Sequence, residues 1–189
     1  MAAARAGRPR ARGFTLLEMV VVVVLIGVLL TIAIDRLIRL QALAERVAMN
    51  QVLGGLRSAL TLELAQHIVQ GRTADLSTLA RANPTRWLVR PPGNYAGAFA
   101  DPDPARIAGG RWYFNTKDRW LVYRVAHAAD FRTALPGPPR IRFKVWLVYS
   151  DNLGDGVRNG EVVGVRLGPV EPYRWGRPGG AGYHSRSKD

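Results

Sequence analysis

The sequence predicts an α+β fold, in which one long N-terminal helix packs against a small antiparallel β-sheet. Two observations predict it. From Asp35 to about Gln70 the chain has no proline, and apolar residues recur at spacings of three and four, which is typical of an amphipathic helix. After residue 110, four segments rich in β-branched and aromatic residues are separated by turn sequences, which is typical of two β-hairpins.

A basic leader and a long apolar run open the chain. The leader, residues 1–13, contains four basic residues and no acid: Arg5, Arg8, Arg10 and Arg12. Residues 14–34 contain one charged residue, Glu18. As a helix, this run spans roughly 31 Å at about 1.5 Å per residue, which matches the hydrocarbon core of a bilayer. The arginines favour a cytoplasmic leader, so the rest of the chain is expected across the membrane.

Three interpretations of this N-terminus compete. A cleaved secretory signal has a shorter apolar stretch that ends in small residues, whereas this run ends in Thr31-Ile32-Ala33-Ile34 followed by charged Asp35. A plain transmembrane anchor explains the length but not Glu18, because an unpaired carboxylate at apolar depth is costly and usually marks function. The third interpretation combines cleavage with anchoring.

The hexapeptide Gly13-Phe14-Thr15-Leu16-Leu17-Glu18 resembles the processing site of type IV prepilins and type II secretion pseudopilins. The resemblance implies that prepilin peptidase cuts after Gly13 and methylates the new amine of Phe14, which leaves the apolar helix as an anchor. Glycine suits the cleavage site because it allows close approach to the scissile bond. The resemblance also implies that Glu18 meets the Phe14 amine of a neighbouring subunit, a buried pair that can select register.

The amphipathic helix, residues 35–71, is predicted to continue the membrane segment. Eight apolar residues define its packing face: Leu37, Leu40, Ala44, Val47, Leu53, Leu56, Leu60 and Leu64. Gly54-Gly55 predicts a bend, and Gly71 predicts the end of the helix. The chain departs from the family at Asp35, where many members have a proline that is thought to loosen the helix during assembly.

Residues 72–172 are predicted to form a globular head. Asp75 caps a short helix, Leu76–Ala82, and residues 91–110 are rich in Pro, Gly, Ala and Asp, which predicts a loop. The predicted strands form two hairpins joined by the linker Pro136–Pro139: Arg111–Phe114 with Trp120–Val125, and Ile141–Tyr149 with Glu161–Leu167. Residues 173–189 are interpreted as a basic, glycine-rich tail.

The composition excludes disulfides, since the 189 residues contain no cysteine. The net charge is +13, or +9 from Phe14 onward. Such a charge favours an anionic partner such as nucleic acid. However, 24 of the 27 basic residues are arginine, which GC-rich codon usage explains equally well.

The segment Asp151, Asp155 and Glu161, with intervening glycines, has two interpretations. Several oxygens on a flexible turn suit a calcium ion, but the spacing lacks two features of the EF-hand loop. The favoured interpretation is a tight hairpin turn, in which Asp, Asn and Gly supply unusual backbone angles. No other cofactor is expected.

A second candidate site lies in the tail, where Arg174, Trp175 and Arg177 interleave basic and aromatic residues. That pattern suits single-stranded nucleic acid, through phosphate contacts and stacking. A solvated tail is the favoured alternative. The other four tryptophans are predicted to fill the core of the head: Trp87, Trp112, Trp120 and Trp146.

Catalysis is not predicted. The histidines His67, His127 and His184 are scattered, and no nucleophile–base order or phosphate-binding loop is present in the sequence. The resemblance to prepilins and pseudopilins implies a minor pilin or pseudopilin with a single-pass inner-membrane helix and a periplasmic head. It also implies that the partners are prepilin peptidase and other subunits of a pilus or secretion pseudopilus. A DNA- or surface-binding minor pilin of a competence or adhesion pilus is the alternative.

Overall fold

A computed structural model describes residues 15–72, 76–128, 130–150 and 162–176. In chain order these residues form helices α1 and α2 and strands β1 to β7: α1 (Leu16–Val69), α2 (Leu76–Arg81), β1 (Tyr95–Phe99), β2 (Arg111–Asn115), β3 (Trp120–Arg124), β4 (Phe131–Thr133), β5 (Arg140–Tyr149), β6 (Val162–Pro169) and β7 (Tyr173–Trp175). Short 3-10 helices occupy Pro84–Trp87 and Pro104–Arg106. Two compact units can be distinguished, one ending at Ile38 and the other beginning at Arg39.

The main sheet has the strand order β1-β2-β3-β5-β6. Strands β2, β3, β5 and β6 pair antiparallel in that order, while β1 pairs parallel with β2 at one edge. Strands β4 and β7 form a separate antiparallel ribbon. The predicted α+β fold, a long helix followed by a mainly antiparallel sheet, is therefore confirmed.

Helix α1 runs without interruption through Gly54 and Gly55 and ends where Gly71 was predicted to end it. Gly71 has a φ of 67°, a left-handed conformation that glycine adopts without steric cost. In the same turn the amide of Arg72 donates to the carbonyl of His67 at 2.9 Å, which satisfies one of the last carbonyls of the helix. Helix α2 begins at Leu76 as predicted, and its predicted cap, Asp75, lies outside the described residues.

One stripe of α1 packs against the sheet. Its buried residues follow helical spacing: Ala42, Met49, Leu53, Leu56, Leu60, Leu64 and His67. The second half of the predicted packing face is confirmed, but Leu37, Leu40 and Val47 are more than half exposed, so the first half is wrong. The buried stripe also contains the polar residues Glu45 and His67. Because both are polar, a prediction based on the spacing of apolar residues does not include them.

The inner face of the sheet supplies the other side of the core. Side chains alternate between the two faces of each strand, and the residues that pack against α1 belong to one face, while Tyr113 and Val122 are buried on the other. Its members are Trp112, Phe114, Leu121, Tyr123, Ile141, Phe143, Val145 and Leu167, joined by Phe131 and Trp175 from the ribbon. Trp112 is a core residue as predicted, and Trp87 packs against the core in part. Trp120 and Trp146 lie partly exposed on the opposite face, so their predicted core positions are wrong.

Three strands were missed by the sequence analysis. The predicted loop 91–110 contains β1, which pairs with β2 from Tyr95 opposite Trp112. The predicted tail begins with β7, which pairs with β4, and Trp175 lies opposite Phe131 in that ribbon. Each of the three depends on a partner elsewhere in the chain, so local sequence carries little signal for them. Strand β6 extends to Pro169, beyond its predicted end at Leu167.

Candidate functional site

The N-terminal end of helix α1 is capped by Thr15. Its hydroxyl accepts a hydrogen bond from the amide of Glu18 at 3.2 Å, and its carbonyl accepts one from the amide of Met19 at 3.2 Å. A threonine at this position satisfies donors that the first helical turn would otherwise leave free. Glu18 therefore lies in the first turn of α1, where the helix dipole favours a negative charge.

The first half of α1 is apolar on every side. Each large apolar side chain from Leu16 to Ile34 is at least 41% exposed. Within the part of the chain that the structure describes, α1 is the one helix long and apolar enough to cross a membrane. A helix that is apolar all round needs lipid or other apolar helices around it.

Glu18 is exposed on this apolar surface. Among the described residues its carboxylate has no hydrogen bond or ion pair, although its backbone amide is bonded to Thr15. A charged group surrounded by apolar side chains has a strong tendency to acquire a partner of opposite charge. The predicted cleavage and methylation residues, Gly13 and Phe14, lie outside the described residues.

The predicted calcium residues Asp151, Asp155 and Glu161 lie outside the described residues, as does Arg177 of the predicted nucleic-acid site. Within the described residues, no group of three His, Cys, Asp or Glu side chains is arranged to hold a metal ion.

Trp175 is not a tail residue. Its side chain is 3% exposed and packs in the core, with its ring 5.5 Å from that of Phe131 in an edge-to-face arrangement. The predicted stacking of a nucleotide base on Trp175 is therefore wrong, because no face of the ring is open. Arg174 points the other way and is exposed, opposite Arg132 in the β4–β7 ribbon.

A buried carboxylate that the sequence analysis missed joins α1 to the sheet. The Glu45 side chain is 7% exposed. Its Oε1 accepts hydrogen bonds from the hydroxyl of Tyr123 at 3.0 Å and the amide of Ala126 at 2.7 Å. Its Oε2 accepts from the amide of His127 at 2.7 Å and from Nδ1 of the same residue at 2.8 Å. Charged acceptors form the stronger class of hydrogen bond, so Glu45 fixes the helix against the segment that follows β3.

This arrangement raises the pKa of Tyr123. Burial is the larger cause, and the adjacent Glu45 carboxylate adds to it, because a phenolate would be desolvated and would face a negative charge. The sequence signal for Glu45 is its position, since it falls in the buried stripe between Ala42 and Met49. A single acidic residue at a buried position of a helix predicts that a hydrogen-bond donor lies on the element packed against that helix.

The described histidines are not brought together. His67 is buried at the end of α1, where Nδ1 lies 3.0 Å from the carbonyl of Glu63. His127 belongs to the Glu45 cluster. A cavity of about 340 Å³ beside His67 is lined mainly by α1, α2 and the 3-10 helix that follows, including Glu63, Arg86 and Trp87. Each described histidine thus lies beside a glutamate of α1.

Comparisons with known proteins agree with this geometry. The family model for the prokaryotic N-terminal methylation motif matches residues 8–34, the segment that contains the Gly13–Phe14 junction and Glu18. The chain is also similar to the type IV narrow pilus major component PilA5 of Thermus thermophilus. The two are 37% identical over 103 residues, which cover 54% of this chain and 70% of the relative. No solved structure matches the chain significantly.

Proposed function

The chain belongs to the type IV pilin superfamily, and we propose that it is a minor pilin or a pseudopilin. In this role it is a structural subunit that prepilin peptidase cleaves and methylates at the Gly13–Phe14 junction. The processed subunit joins a filament through its apolar helix. The head, residues 72–172, remains on the filament surface.

The observation that carries the proposal is the apolar first half of α1 with Glu18 exposed on it. Cleavage after Gly13 gives Phe14 a protonated amine at the end of this apolar segment. Its own Glu18 is four residues further along the chain, in the first turn of α1. A neighbour's amine, brought alongside by a staggered helix, has freer access to the same carboxylate. Among the described residues the Glu18 carboxylate has no hydrogen bond or ion pair, so it is available for this pairing.

Charge supports a minor rather than a major subunit. The mature chain has a net charge of +9, because the 27 basic and 14 acidic residues include four arginines in the leader. A filament built from this chain alone would repeat that charge at every subunit, and like charges repel across distances up to about 10 Å at ordinary ionic strength. In a filament made mostly of less basic subunits, copies of this chain are separated from one another, and most of this repulsion is lost.

A major subunit is the second candidate, and the name of the relative favours it. PilA5 is described as a major component of a narrow type IV pilus. The two candidates predict different abundances but the same processing and the same use of Glu18.

The leader supports an inner-membrane location. Its four arginines, Arg5, Arg8, Arg10 and Arg12, favour the cytoplasmic side, and the apolar run then places the head in the periplasm before assembly. Partners on this account are the peptidase, the inner membrane and other subunits. An ion at Asp151, Asp155 and Glu161 is not required for any step.

The experiment that tests this function is quantitative mass spectrometry of filaments sheared from the native cells. A minor pilin or pseudopilin is expected in filaments at a small fraction of the most abundant subunit, with Phe14 as its first residue. If this chain is the most abundant subunit, the major-pilin candidate is correct. If the protein is absent from filaments while present in membranes, neither candidate holds.

A further inference from the structure

The face of the main sheet that points away from α1 is basic and aromatic. Five residues define this outer sheet face: Trp120, Arg142, Lys144, Trp146 and Arg166. Each alternates along its strand with residues of the core, such as Leu121, Phe143 and Leu167. Because successive side chains of a strand point to opposite faces, the five share the outer face.

Trp146 forms a platform for Arg166 on this face. The two residues are paired across β5 and β6, and the Arg166 guanidinium lies 5.1 Å from the centre of the Trp146 ring. The ring also lies against Gly168, where an added Cβ would come within 3.4 Å of its Cζ3 atom. The absent side chain thus leaves room for the ring. A guanidinium held against a ring loses less conformational freedom when it binds an anion.

Trp120 and Arg142 repeat this arrangement. The Arg142 guanidinium lies 4.0 Å from the centre of the Trp120 ring. It also forms a two-point ion pair with Glu171, with Nε 3.0 Å from Oε2. Burial is the main cause that lowers the pKa of Arg142. Its charge is balanced by Glu171, so Arg142 has a mainly structural role.

Lys144 and Arg166 differ from Arg142 because neither has an acidic partner among the described residues. Arg166 is exposed and Lys144 is partly buried. Arg111, on the same face of β2, is exposed and likewise has no acidic partner in the described ranges. In contrast, Arg124 on this face is occupied, because its guanidinium donates to the carbonyls of Pro104, Val125 and Pro139.

We propose that the outer sheet face binds the phosphate backbone of duplex DNA, with Lys144 and Arg166 as the central contacts. Charge complementarity carries the inference, since both cations lack an acid within the described residues and one is fixed on an aromatic platform. Lys144 pairs with Gly168 and Arg166 with Trp146, so the two cations are diagonal neighbours on adjacent strands, roughly 7–8 Å apart, and can contact phosphates of the same backbone. This inference does not depend on whether the subunit is minor or major.

The aromatic residues favour a duplex over a single strand. Proteins that bind single strands stack bases on open rings. Here a guanidinium lies over the ring of Trp120, and another lies over the ring of Trp146, whose Cζ3 edge is beside Gly168. Phosphate contacts alone carry no sequence information, so binding is expected to be independent of sequence.

The test uses the full mature chain in nanodiscs of neutral lipid, with labelled duplexes of two unrelated sequences. Lys144→Gln/Arg166→Gln is expected to weaken binding of both duplexes by about tenfold and to reduce the slope of log K against log salt by about 1.8, or about 0.9 per lost contact. The matched control is Arg81→Gln/Arg90→Gln, which removes the same charge from two exposed positions outside this face. The control is expected to bind within about twofold of the wild type, since it removes no phosphate contact. Circular dichroism verifies that both variants are folded.

Further arms separate the alternatives. Arg174→Gln is expected to leave DNA binding unchanged. That result would assign the DNA interface to the sheet and not to the predicted tail. Equal weakening by both double variants would mean that only net charge matters, and would overturn the proposal. So would wild-type binding by Lys144→Gln/Arg166→Gln. Stronger binding to vesicles of anionic lipid than to duplex, lost in the same variant, would assign the face to a membrane and equally contradict the proposal.

Discussion

The carboxylate of Glu45 on helix α1 accepts a hydrogen bond of 3.0 Å from the hydroxyl of Tyr123 on strand β3. The two residues are 78 positions apart in the chain. The same carboxylate binds two consecutive backbone amides, those of Ala126 and His127. One side chain therefore fixes the helix to the sheet and to the segment that follows β3.

We expect Glu45→Gln to destabilise the head by about 3 kcal/mol, because an amide group cannot accept all of these bonds and leaves buried donors unsatisfied. Chemical denaturation of the protein in detergent measures this loss. Glu63→Gln is the matched control on the same helix. It is expected to change stability by less than about 0.5 kcal/mol, because Glu63 has only a partly exposed contact with His67. Equal stability of the two variants would exclude the proposed role of Glu45.

The raised pKa of Tyr123 predicts a loss of stability at alkaline pH. Because the folded state favours the neutral phenol, the group stabilises the fold fully below its ordinary pKa of 10.0, and this contribution is lost as the pH rises above that value. Unfolding midpoints measured at increasing pH should therefore fall more steeply above pH 10 for the wild type than for Tyr123→Phe. Tyr149→Phe, at a more exposed tyrosine, should keep the wild-type slope. Parallel curves for all three proteins would contradict the assignment.

Alanine substitutions at two glycines, one inside α1 and one at its end, should change the stability of the protein in opposite directions. Gly71 has a positive φ, and an added Cβ would meet nothing within 4 Å, so Gly71→Ala should cost about 1 kcal/mol through backbone strain alone. Gly54 is helical, and an added Cβ there would also meet nothing within 4 Å. Gly54→Ala should therefore stabilise the helix by about 0.5–1 kcal/mol. Thermal or chemical unfolding of the two variants tests both signs, and a shared sign would show that the local conformations differ from those described.

Much of this fold is readable from sequence, and the failures have physical reasons. The membrane segment, the end of α1 at Gly71 and strands β2, β3, β5 and β6 follow from local periodicity and glycine chemistry. The Glu45 cluster does not, because its donors lie far away in the chain and only the fold brings them together. Trp120 and Trp146 were misassigned because a partly exposed tryptophan on an arginine has the same local pattern as one in a core.

The candidate functional residues also differ in how well sequence alone predicts them. The Gly13–Glu18 motif is contiguous, so sequence alone predicts its processing and the role of Glu18. Surface sites are built from several strands. The sequence analysis therefore placed nucleic-acid contacts at Trp175, which the fold buries, while local sequence does not show that Lys144 and Arg166 lie side by side on neighbouring strands.

Processing at the Gly13–Phe14 junction is a separate prediction. In cells with active prepilin peptidase, the mature protein should begin at N-methylated Phe14. Gly13→Val should retain residues 1–13, because a branched side chain obstructs approach to the scissile bond. N-terminal mass spectrometry of the purified protein measures both. An unprocessed wild-type protein, or a normally cleaved Gly13→Val variant, would refute this.

The assembly role of Glu18 is the central claim, and Glu18→Gln co-assembly tests it most directly. The chain has no cysteine, so single introduced cysteines allow crosslinking to partner subunits. If the carboxylate pairs with a neighbour's Phe14 amine, Glu18→Gln should insert and be cleaved normally, yet crosslink into filaments far less than the wild type. Glu63→Gln, the same chemical change at the other end of α1, should crosslink normally. Crosslinking of Glu18→Gln at the wild-type level would show instead that Glu18 stabilises only its own helix end, and would contradict the account.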